Sequence, residues 1–435
     1  MRVRKIIKPG TKWLIIVPVV LGLAVVVALL VLLGWFWLSE RPRAGLIIVT
    51  YPGEVDVYID GSPKGVSPLR LDMEPGDYLI TLTREHYVTW EGQVSVEKDK
   101  CTRLEKRLQF FPHITLLTEG GKRLPSWTED SKGIYCLYIT DTGDQLARMG
   151  LDKKEEVKVN TGFKEMGIQG LAWSRDQKQL LAWGYIRDEQ DGAHSYSGLV
   201  VSDLEGNIRR IAREREPGGD ILAASWSHIE GEIAYLQTVV EPSQNLYPRI
   251  VGTELWVVDS HGQNANKVFS FDRSDEAYRV HWSSQGKLLV QGGTTTFLFE
   301  TSDDEVVQSS TISDTVASLW SPDGAYVAYQ ELNDNGTSSL WVDDVSGSHS
   351  TQLVTDTISQ FQWVPGRASL IYFTYDPASH ASACWAIDVK TGERTLLADK
   401  PIITQRVGDF AISPDGEKIA FEGEDGNIWL LTLSE

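Results

Sequence analysis

The 435-residue sequence has few of the residues that build reactive sites. Its 3 cysteines, Cys101, Cys136 and Cys384, are widely separated and odd in number, so their spacing gives no disulfide framework and no metal-ligand pattern. The 8 histidines include no pair at i, i+4 and no HExxH motif, and the chain has no GxSxG, P-loop or CxxC motif. We therefore expect no catalytic residues, no metal and no cofactor.

Basic residues are scarce outside the N-terminus. The net charge is −19, although five Lys and Arg fall within residues 1–12 and the first acidic residue is Glu40. The rest of the chain has 36 basic and 60 acidic residues. Binding to phosphates needs clustered Lys and Arg, so this acidic body argues against a nucleic-acid partner. It suits a soluble domain that faces an aqueous space.

Residues 13–39 contain no charged side chain. This run of 27 residues exceeds the roughly 20 that cross a bilayer. Tryptophans stand near both of its ends, as they do at membrane interfaces. The alternative is a cleaved signal peptide, but its apolar region is shorter and ends in small residues that "WFWLSERPR" lacks.

We expect residues 13–39 to form a transmembrane helix that makes the membrane one partner of the chain. Positive charge stays on the cytoplasmic side of such a helix, so residues 1–12 form a cytoplasmic basic tail. The chain is then a single-pass protein of the cell membrane, with residues 40–435 outside the cytoplasm.

Short β-forming runs follow a polar linker at 39–45. Pro-Gly and Asp-Gly pairs separate these runs, which predicts a small antiparallel β-sandwich over 45–110. The stretches "VYIDG" (57–61), "KGVSPL" (64–69) and "EPGDYLITL" (74–82) resemble the PEGA domain, although "PGEV" (52–55) alters the order of its name-giving motif. The resemblance implies a module without known catalytic residues that acts as a spacer or contacts the cell envelope.

Residues 111–435 repeat one unit seven times. Each unit has an anchor residue at the end of a first run, then a turn and an alternating second strand. The anchors are Trp127, Trp173, Trp226, Trp282, Trp320, Trp363 and Ile412. Third and fourth runs follow, and four antiparallel strands per 40–50 residues form a propeller blade. We expect each anchor tryptophan to fill the wedge between neighbouring blades.

The ends of this region predict how the ring closes. The seventh unit lacks a fourth strand. The run "HITLLT" (113–118) precedes the first unit and belongs to no unit of its own. Pairing the two gives a closed propeller of seven blades; the alternative is six blades and an irregular first unit. "WSPDG" (320–324) and "SPDG" (413–416) resemble the WD-like repeats of TolB-type propellers. This resemblance implies an architecture rather than a function.

The Ser-Pro-Asp-Gly stretches contain a hydroxyl and a carboxylate, yet they fit a turn. Proline presets φ, the carboxylates of Asp323 and Asp415 accept backbone N–H groups, and glycine adopts positive φ. We expect these aspartates to be structural.

Long connections between second and third strands interrupt the repeat at 186–198, 239–252 and 374–382. They project from the face opposite the Ser-Pro-Asp-Gly turns, and binding residues concentrate on such loops. The alternative is that they are only variable, solvated loops. The predicted binding residues are Arg187, Asp188, His194, Tyr196, Tyr247, Arg249, Tyr375 and His380.

The sequence as a whole predicts an all-β ectodomain, a PEGA-like sandwich followed by a seven-bladed propeller, behind one N-terminal transmembrane α-helix. Its predicted function is that of a membrane-anchored binding or scaffold protein whose propeller contacts a protein or a cell-wall or surface glycan. The alternative is a propeller-type glycosidase or lyase with acidic residues near the central channel.

Overall fold

The computed structural model describes residues 44–434 apart from 142, 153–154, 164–165, 188–194, 214–218, 228–230, 242–248, 273–276, 303–304 and 346–348. The predicted transmembrane helix and basic tail lie outside the described residues. Within the described part, no helix has the length and hydropathy needed to span a membrane. All of its regular elements are strands, which confirms the all-β prediction. The chain divides into two compact units, Met1–Phe111 and Pro112–Glu435.

The first unit has two sheets, in the orders β4-β1-β7 and β3-β2-β5-β6. Its strands are β1 (Gly45–Tyr51), β2 (Asp56–Ile59), β3 (Ser62–Val66), β4 (Leu69–Asp72), β5 (Gly76–Thr83), β6 (Trp90–Val96) and β7 (Cys101–Arg107). Leu46, Val57 and Ile80 belong to its buried core. The prediction of a purely antiparallel sandwich is wrong at one pair, because β1 and β7 run parallel. The rest of the unit lies between them in sequence, which is long enough for a parallel connection.

The second unit contains the remaining strands. They are β8 (His113–Leu116), β9 (Lys122–Trp127), β10 (Gly133–Thr140), β11 (Gly143–Gly150), β12 (Glu156–Lys158), β13 (Met166–Trp173), β14 (Leu180–Arg187), β15 (Ser195–Ser202), β16 (Ile208–Arg213), β17 (Ile221–Trp226), β18 (Glu232–Glu241), β19 (Arg249–Asp259), β20 (Asn266–Asp272), β21 (Ala277–Trp282), β22 (Leu288–Gly292), β23 (Thr295–Ser302), β24 (Glu305–Ser313), β25 (Thr315–Trp320), β26 (Tyr326–Leu332), β27 (Ser338–Asp344), β28 (Ser350–Asp356), β29 (Ile358–Trp363), β30 (Ser369–Asp376), β31 (Ala381–Asp388), β32 (Arg394–Ile403), β33 (Phe410–Ile412), β34 (Lys418–Glu422) and β35 (Ile428–Thr432).

Among the described residues, these strands form seven four-stranded sheets. Numbered along the chain, sheets one to six have the orders β12-β11-β10-β9, β13-β14-β15-β16, β17-β18-β19-β20, β21-β22-β23-β24, β25-β26-β27-β28 and β29-β30-β31-β32. Sheet seven has the order β33-β34-β35-β8, so its fourth strand comes from the start of the unit. β8 and β35 pair antiparallel, with Leu116 opposite Trp429 and His113 opposite Thr432.

Buried side chains join each sheet to the next. Sheets one and two share one apolar cluster, and the same holds for every following pair up to sheets six and seven. Sheet seven also shares a cluster with sheet one, in which Ala420 and Ile428 pack with Trp127 and Ile134. The seven sheets therefore form a closed ring, the arrangement of a β-propeller.

The strands extend further than the sequence indicated. β14 continues to Arg187 and β15 begins at Ser195, so most of 186–198 that the structure describes is paired strand. β18 and β19 likewise extend into 239–252, where Val240 lies opposite Ile250. The β-branched residues at these ends favour extended backbone, which explains why the pairing continues into the predicted loops.

Candidate functional site

The Ser-Pro-Asp-Gly turns satisfy their own polar groups. The Ser321 hydroxyl donates to Asp323 Oδ1 at 2.6 Å and accepts the Tyr326 N–H at 2.9 Å. Asp323 Oδ1 also accepts the Ala325 N–H at 3.1 Å, and Gly324 has a φ of 70°. The hydrogen bond from Ser321, with that from Ala325, holds the pKa of Asp323 below its ordinary value. The carboxylate is therefore part of the turn.

The same turn recurs around the ring. Ser413 and Asp415 form it in sheet seven, where the Ser413 hydroxyl accepts the Lys418 N–H at 2.9 Å. Thr128 replaces the serine in sheet one, donating to Asp130 Oδ1 at 2.6 Å. Recurrence of one hydrogen-bond pattern supports a structural role for Asp323 and Asp415.

Three anchor tryptophans donate their indole N–H across a sheet boundary. Trp127 donates to the Ala411 carbonyl at 2.8 Å, Trp226 to Ala172 at 3.1 Å and Trp363 to Leu319 at 3.2 Å. Each acceptor directly precedes the anchor residue of the preceding sheet.

The other three anchor tryptophans also lie between sheets. Trp173 of sheet two packs on Tyr135 of sheet one, with ring centroids 4.5 Å apart. Trp282 belongs to the cluster that sheets three and four share, and Trp320 to that of sheets four and five. All six anchor tryptophans thus pack between neighbouring sheets.

Only part of the predicted loop site can be located. Asp188, His194, Tyr247 and the Arg187 side chain lie outside what the structure describes. Tyr196 lies in β15, with the Arg210 guanidinium carbon 5.0 Å from its ring centroid. Arg249 is exposed at the start of β19, opposite Glu241.

Two predicted residues are in contact at the tip of the β30–β31 hairpin. The hydroxyl of Tyr375 and Nδ1 of His380 are 3.2 Å apart. Lys400 donates to Asp376 Oδ2 at 2.8 Å. That hydrogen bond, with others from Ala378 and Ser379, lowers the pKa of Asp376 to about 2. The tip is a fixed polar corner on the predicted loop face.

Exposed apolar side chains mark the same face of the ring. We call them the apolar rim, and they are Ile139, Tyr185, Ile250, Tyr278 and Leu332. Each lies at one of three places: the end of a second strand, the start of a third strand or the start of a first strand. In an antiparallel sheet, these three places lie at the same end. Ile139 is 70% exposed and Leu332 66%. They could not be predicted from the sequence, because single apolar residues at strand ends carry no periodic signal.

A cavity of about 560 Å³ occupies the central channel of the ring, and residues of all seven sheets line it. The lining comes mainly from the first strand of each sheet, at positions one and three before the anchor. In sheet four these are His281 and Arg279, which alternate with the buried Val280 and Trp282. Counting back from the anchors would have found these residues in the sequence.

Charges in and near the channel differ in how they are paired. Arg123 donates to Asp144 Oδ2 at 2.7 Å, and the same oxygen accepts the Ile168 N–H at 2.7 Å. Glu422 accepts the Leu124 N–H, and burial raises the pKa of its carboxyl. These two acids are thus held by protein groups.

The His281 side chain lines the channel, where the surrounding walls shield it from bulk water. Burial, followed by the nearby charge of Arg279, lowers the pKa of His281 to about 4. The imidazole is therefore neutral at physiological pH and leaves Arg279 as the cation of this wall.

Comparisons with known proteins found one matching domain family and several solved structures of similar fold. The PEGA domain model matches residues 43–110, which confirms a PEGA domain in the first unit. No curated protein matches the chain. A crystal structure of oligogalacturonate lyase from Vibrio parahaemolyticus aligns with a TM-score of 0.52 at 12% identity, over 74% of this chain and 94% of that one.

Two further structures align with the propeller fold at low identity. A chain of the mitotic checkpoint complex has a TM-score of 0.50 at 12% identity, over 74% of this chain and 95% of that one. TolB from Acinetobacter baumannii aligns with a TM-score of 0.40 at 13% identity, over 63% of this chain and 65% of that one. At 12% identity the likeness to the lyase and to the checkpoint-complex chain is one of fold.

Proposed function

We propose that this chain is a membrane-anchored, extracytoplasmic binding or scaffold protein whose propeller holds a protein partner on the face that carries the apolar rim. The observation that carries the proposal is a set of exposed apolar side chains on that face, one on each of sheets one to five. Among the described residues of the second unit, five of nine exposed large hydrophobic side chains belong to the rim. Exposed apolar side chains that share one face can together contribute to an interaction site.

The chemistry of the rim favours a protein over a glycan. Ile139, Ile250 and Leu332 are aliphatic and make up most of it. Aliphatic side chains gain free energy by burial against other apolar side chains, about 25 cal/mol per Å². The Tyr375–His380 corner adds polar groups on the same face, as the polar edge of a protein interface does.

The remainder of the chain is consistent with a propeller that is anchored to a membrane. Residues 13–39 are uncharged and long enough to cross a bilayer. The PEGA domain follows in sequence and precedes the propeller. In this proposal it is a spacer or a contact with the cell envelope.

The enzyme alternative has less support. The acids Asp144 and Glu422 accept hydrogen bonds from protein groups. Among the described residues that line the channel, Asp409 is the one acid, so the lining lacks the pair of carboxylates that most glycosidases use. The similar lyase shares a fold at 12% identity, which carries no substrate over to this chain. Incubating the purified full chain with oligogalacturonate tests this alternative directly, and turnover that tracks the intact protein would favour it.

Crosslinking and capture of the full chain from its native membrane tests the binding proposal. The rim variant is Ile139→Asp combined with Leu332→Asp. The matched control is Val157→Asp, because Val157 is also exposed, at 57%, but lies on a fourth strand away from the rim.

We expect the wild type and the control to capture the same protein and the rim variant to lose it. Capture of one protein equally by all three would contradict the proposed face. Capture of a polysaccharide in its place would support the glycan alternative.

A further inference from the structure

The two sides of the central channel differ in chemistry. Sheets four, six and seven contribute Arg279, His281, Gln360, Gln362 and Asp409 to its lining. Sheets one to three contribute mainly apolar residues. They include Leu124, Ala172, Leu222 and Ala223, together with the indole of Trp183. A ligand that fills the channel therefore meets one polar wall and one apolar wall.

Arg279 is the cation of the polar wall. It is exposed to the channel, and within the described part of the chain its side chain forms no ion pair and no hydrogen bond. Its charge acts on His281, whose pKa it helps to lower. Asp409 also lines the channel, but among the described residues no ion pair joins it to Arg279. A guanidinium that has five N–H donors and no partner among the described residues is suited to pair with a carboxylate.

Trp183 of the second strand reaches the channel because Gly170 leaves room for it. A Cβ atom at Gly170 would lie 2.0 Å from Cζ2 of the indole, so any other residue would displace the ring. The indole N–H donates to the Leu222 carbonyl at 3.1 Å, which fixes the ring. The apolar wall thus contains a fixed aromatic surface, which favours flat apolar ligand groups.

We propose that the central channel binds a small organic anion, whose carboxylate pairs with Arg279 and whose flat apolar part packs against Trp183. A cavity of about 560 Å³ has the size of a site for a small molecule. An apolar wall that faces a few polar groups is a combination found in such sites. Tyr278 belongs to the apolar rim and also lines the channel. The variants that test the two proposals share no residue, so the outcomes of the two tests are independent.

The test measures binding of four probes to the full chain in detergent by isothermal titration calorimetry. Phenylacetate and phenylacetamide form one pair, and glucuronate and glucose form the other, each an anion with a neutral counterpart. The two pairs distinguish an aromatic acid from an acidic sugar as the natural ligand class. We expect at least one anion to bind about tenfold or more tightly than its neutral counterpart.

Variants then assign the binding to the channel. Arg279→Gln is expected to weaken binding of the anion about tenfold and to leave binding of the neutral probe unchanged. Arg279→Lys keeps the charge and should retain most of the affinity. This variant keeps the test informative if Arg279→Gln fails to fold. Trp183→Leu should weaken binding of both members of a pair. Arg175→Gln, which removes an exposed arginine outside the channel and outside the predicted binding residues, is the matched control and should change nothing.

Three results would overturn the proposal. The first is that neither anion binds more tightly than its neutral counterpart, including the case of no binding up to about 10 mM. The second is equal loss of affinity in Arg279→Gln and Arg175→Gln. The third is an unchanged affinity in Arg279→Gln.

Discussion

The indole Nε1 of Trp127 in sheet one donates a hydrogen bond of 2.8 Å to the carbonyl oxygen of Ala411 in sheet seven. The two residues are 284 positions apart in sequence. The same bond, from an anchor indole to the residue before the preceding anchor, joins sheets two and three and sheets five and six. Closure of the ring therefore uses the same contact as its internal boundaries.

Replacing Trp127 with phenylalanine should destabilise the propeller more than the same change at Trp320. Both indoles are buried between sheets, but among the described residues the Trp320 N–H has no acceptor. Both variants lose similar packing, and only Trp127→Phe leaves the Ala411 carbonyl without this donor. We expect a difference of about 1 kcal/mol in the free energy of unfolding, measured with urea. Equal losses would contradict a stabilising role for the bond.

The turn aspartates should make stability depend on acid pH. The pKa of Asp323 is below its ordinary value of 3.8 in the folded chain, because the Ser321 hydroxyl and then the Ala325 N–H donate to its carboxylate. Its stabilising contribution is therefore present above the ordinary pKa and is lost as the pH falls through the folded-state pKa.

We expect Asp323→Asn to lower the free energy of unfolding at about pH 6 and to reduce its fall between about pH 5 and about pH 2. The effect should be below about 1 kcal/mol, because the carboxylate is near the surface. Asp334→Asn is the control, since Asp334 is an exposed acid outside the repeated turns. An unchanged pH dependence in Asp323→Asn would show that the turn does not favour the ionised form.

Gly170 should resist substitution more than Gly167 of the same strand. A Cβ atom at Gly170 would clash with the Trp183 ring, whereas at Gly167 its nearest neighbour would be the Tyr185 carbonyl at 3.9 Å. We expect Gly170→Ala to cost about 1–3 kcal/mol and to shift the tryptophan fluorescence. Gly167→Ala should do neither. Adding Trp183→Ala to Gly170→Ala should remove the clash, and failure of this rescue would show that the indole is not what excludes a side chain at Gly170.

The accessibility of Cys101 tests on which side of the membrane the chain lies. Cys101 is exposed, whereas Cys136 and Cys384 are buried. A membrane-impermeant maleimide added to intact cells should therefore label the chain at Cys101 and leave a Cys101→Ser variant unlabelled. Labelling only after the cells are opened would place the PEGA domain on the cytoplasmic side and contradict the predicted orientation.

Features that recur among the repeat units could be predicted from the sequence. Trp127 and Trp363 share one phase of the repeat because they fill equivalent wedges, so their inter-sheet role could be inferred without coordinates. The Ser-Pro-Asp-Gly turns were predictable for a similar reason, since their hydrogen bonds span only a few residues.

The channel was not predicted, although two of its lining positions can be counted back from each anchor, because the course of the first strands before those positions depends on shifts in register. The pairing of the first and second strands shifts between Ile168 and Gly170 and between Ala277 and Arg279. A bulge changes which side chains point to which face, and the sequence carries no simple mark of it. The parallel pairing of β1 with β7 was missed for another reason, because it joins residues that are far apart in the unit.

The pairing of β8 with β35 also affects how the chain folds during synthesis. Ile428 donates its N–H to Thr118 at a separation of 310 residues. The ribosome makes β35 after every other strand of the propeller, so sheet seven and its boundary with sheet one form last. Any sheets that form before translation reaches β35 therefore belong to an open arc. Such long-range closure is slow, and the two uncovered ends of the arc are where a chaperone would be needed.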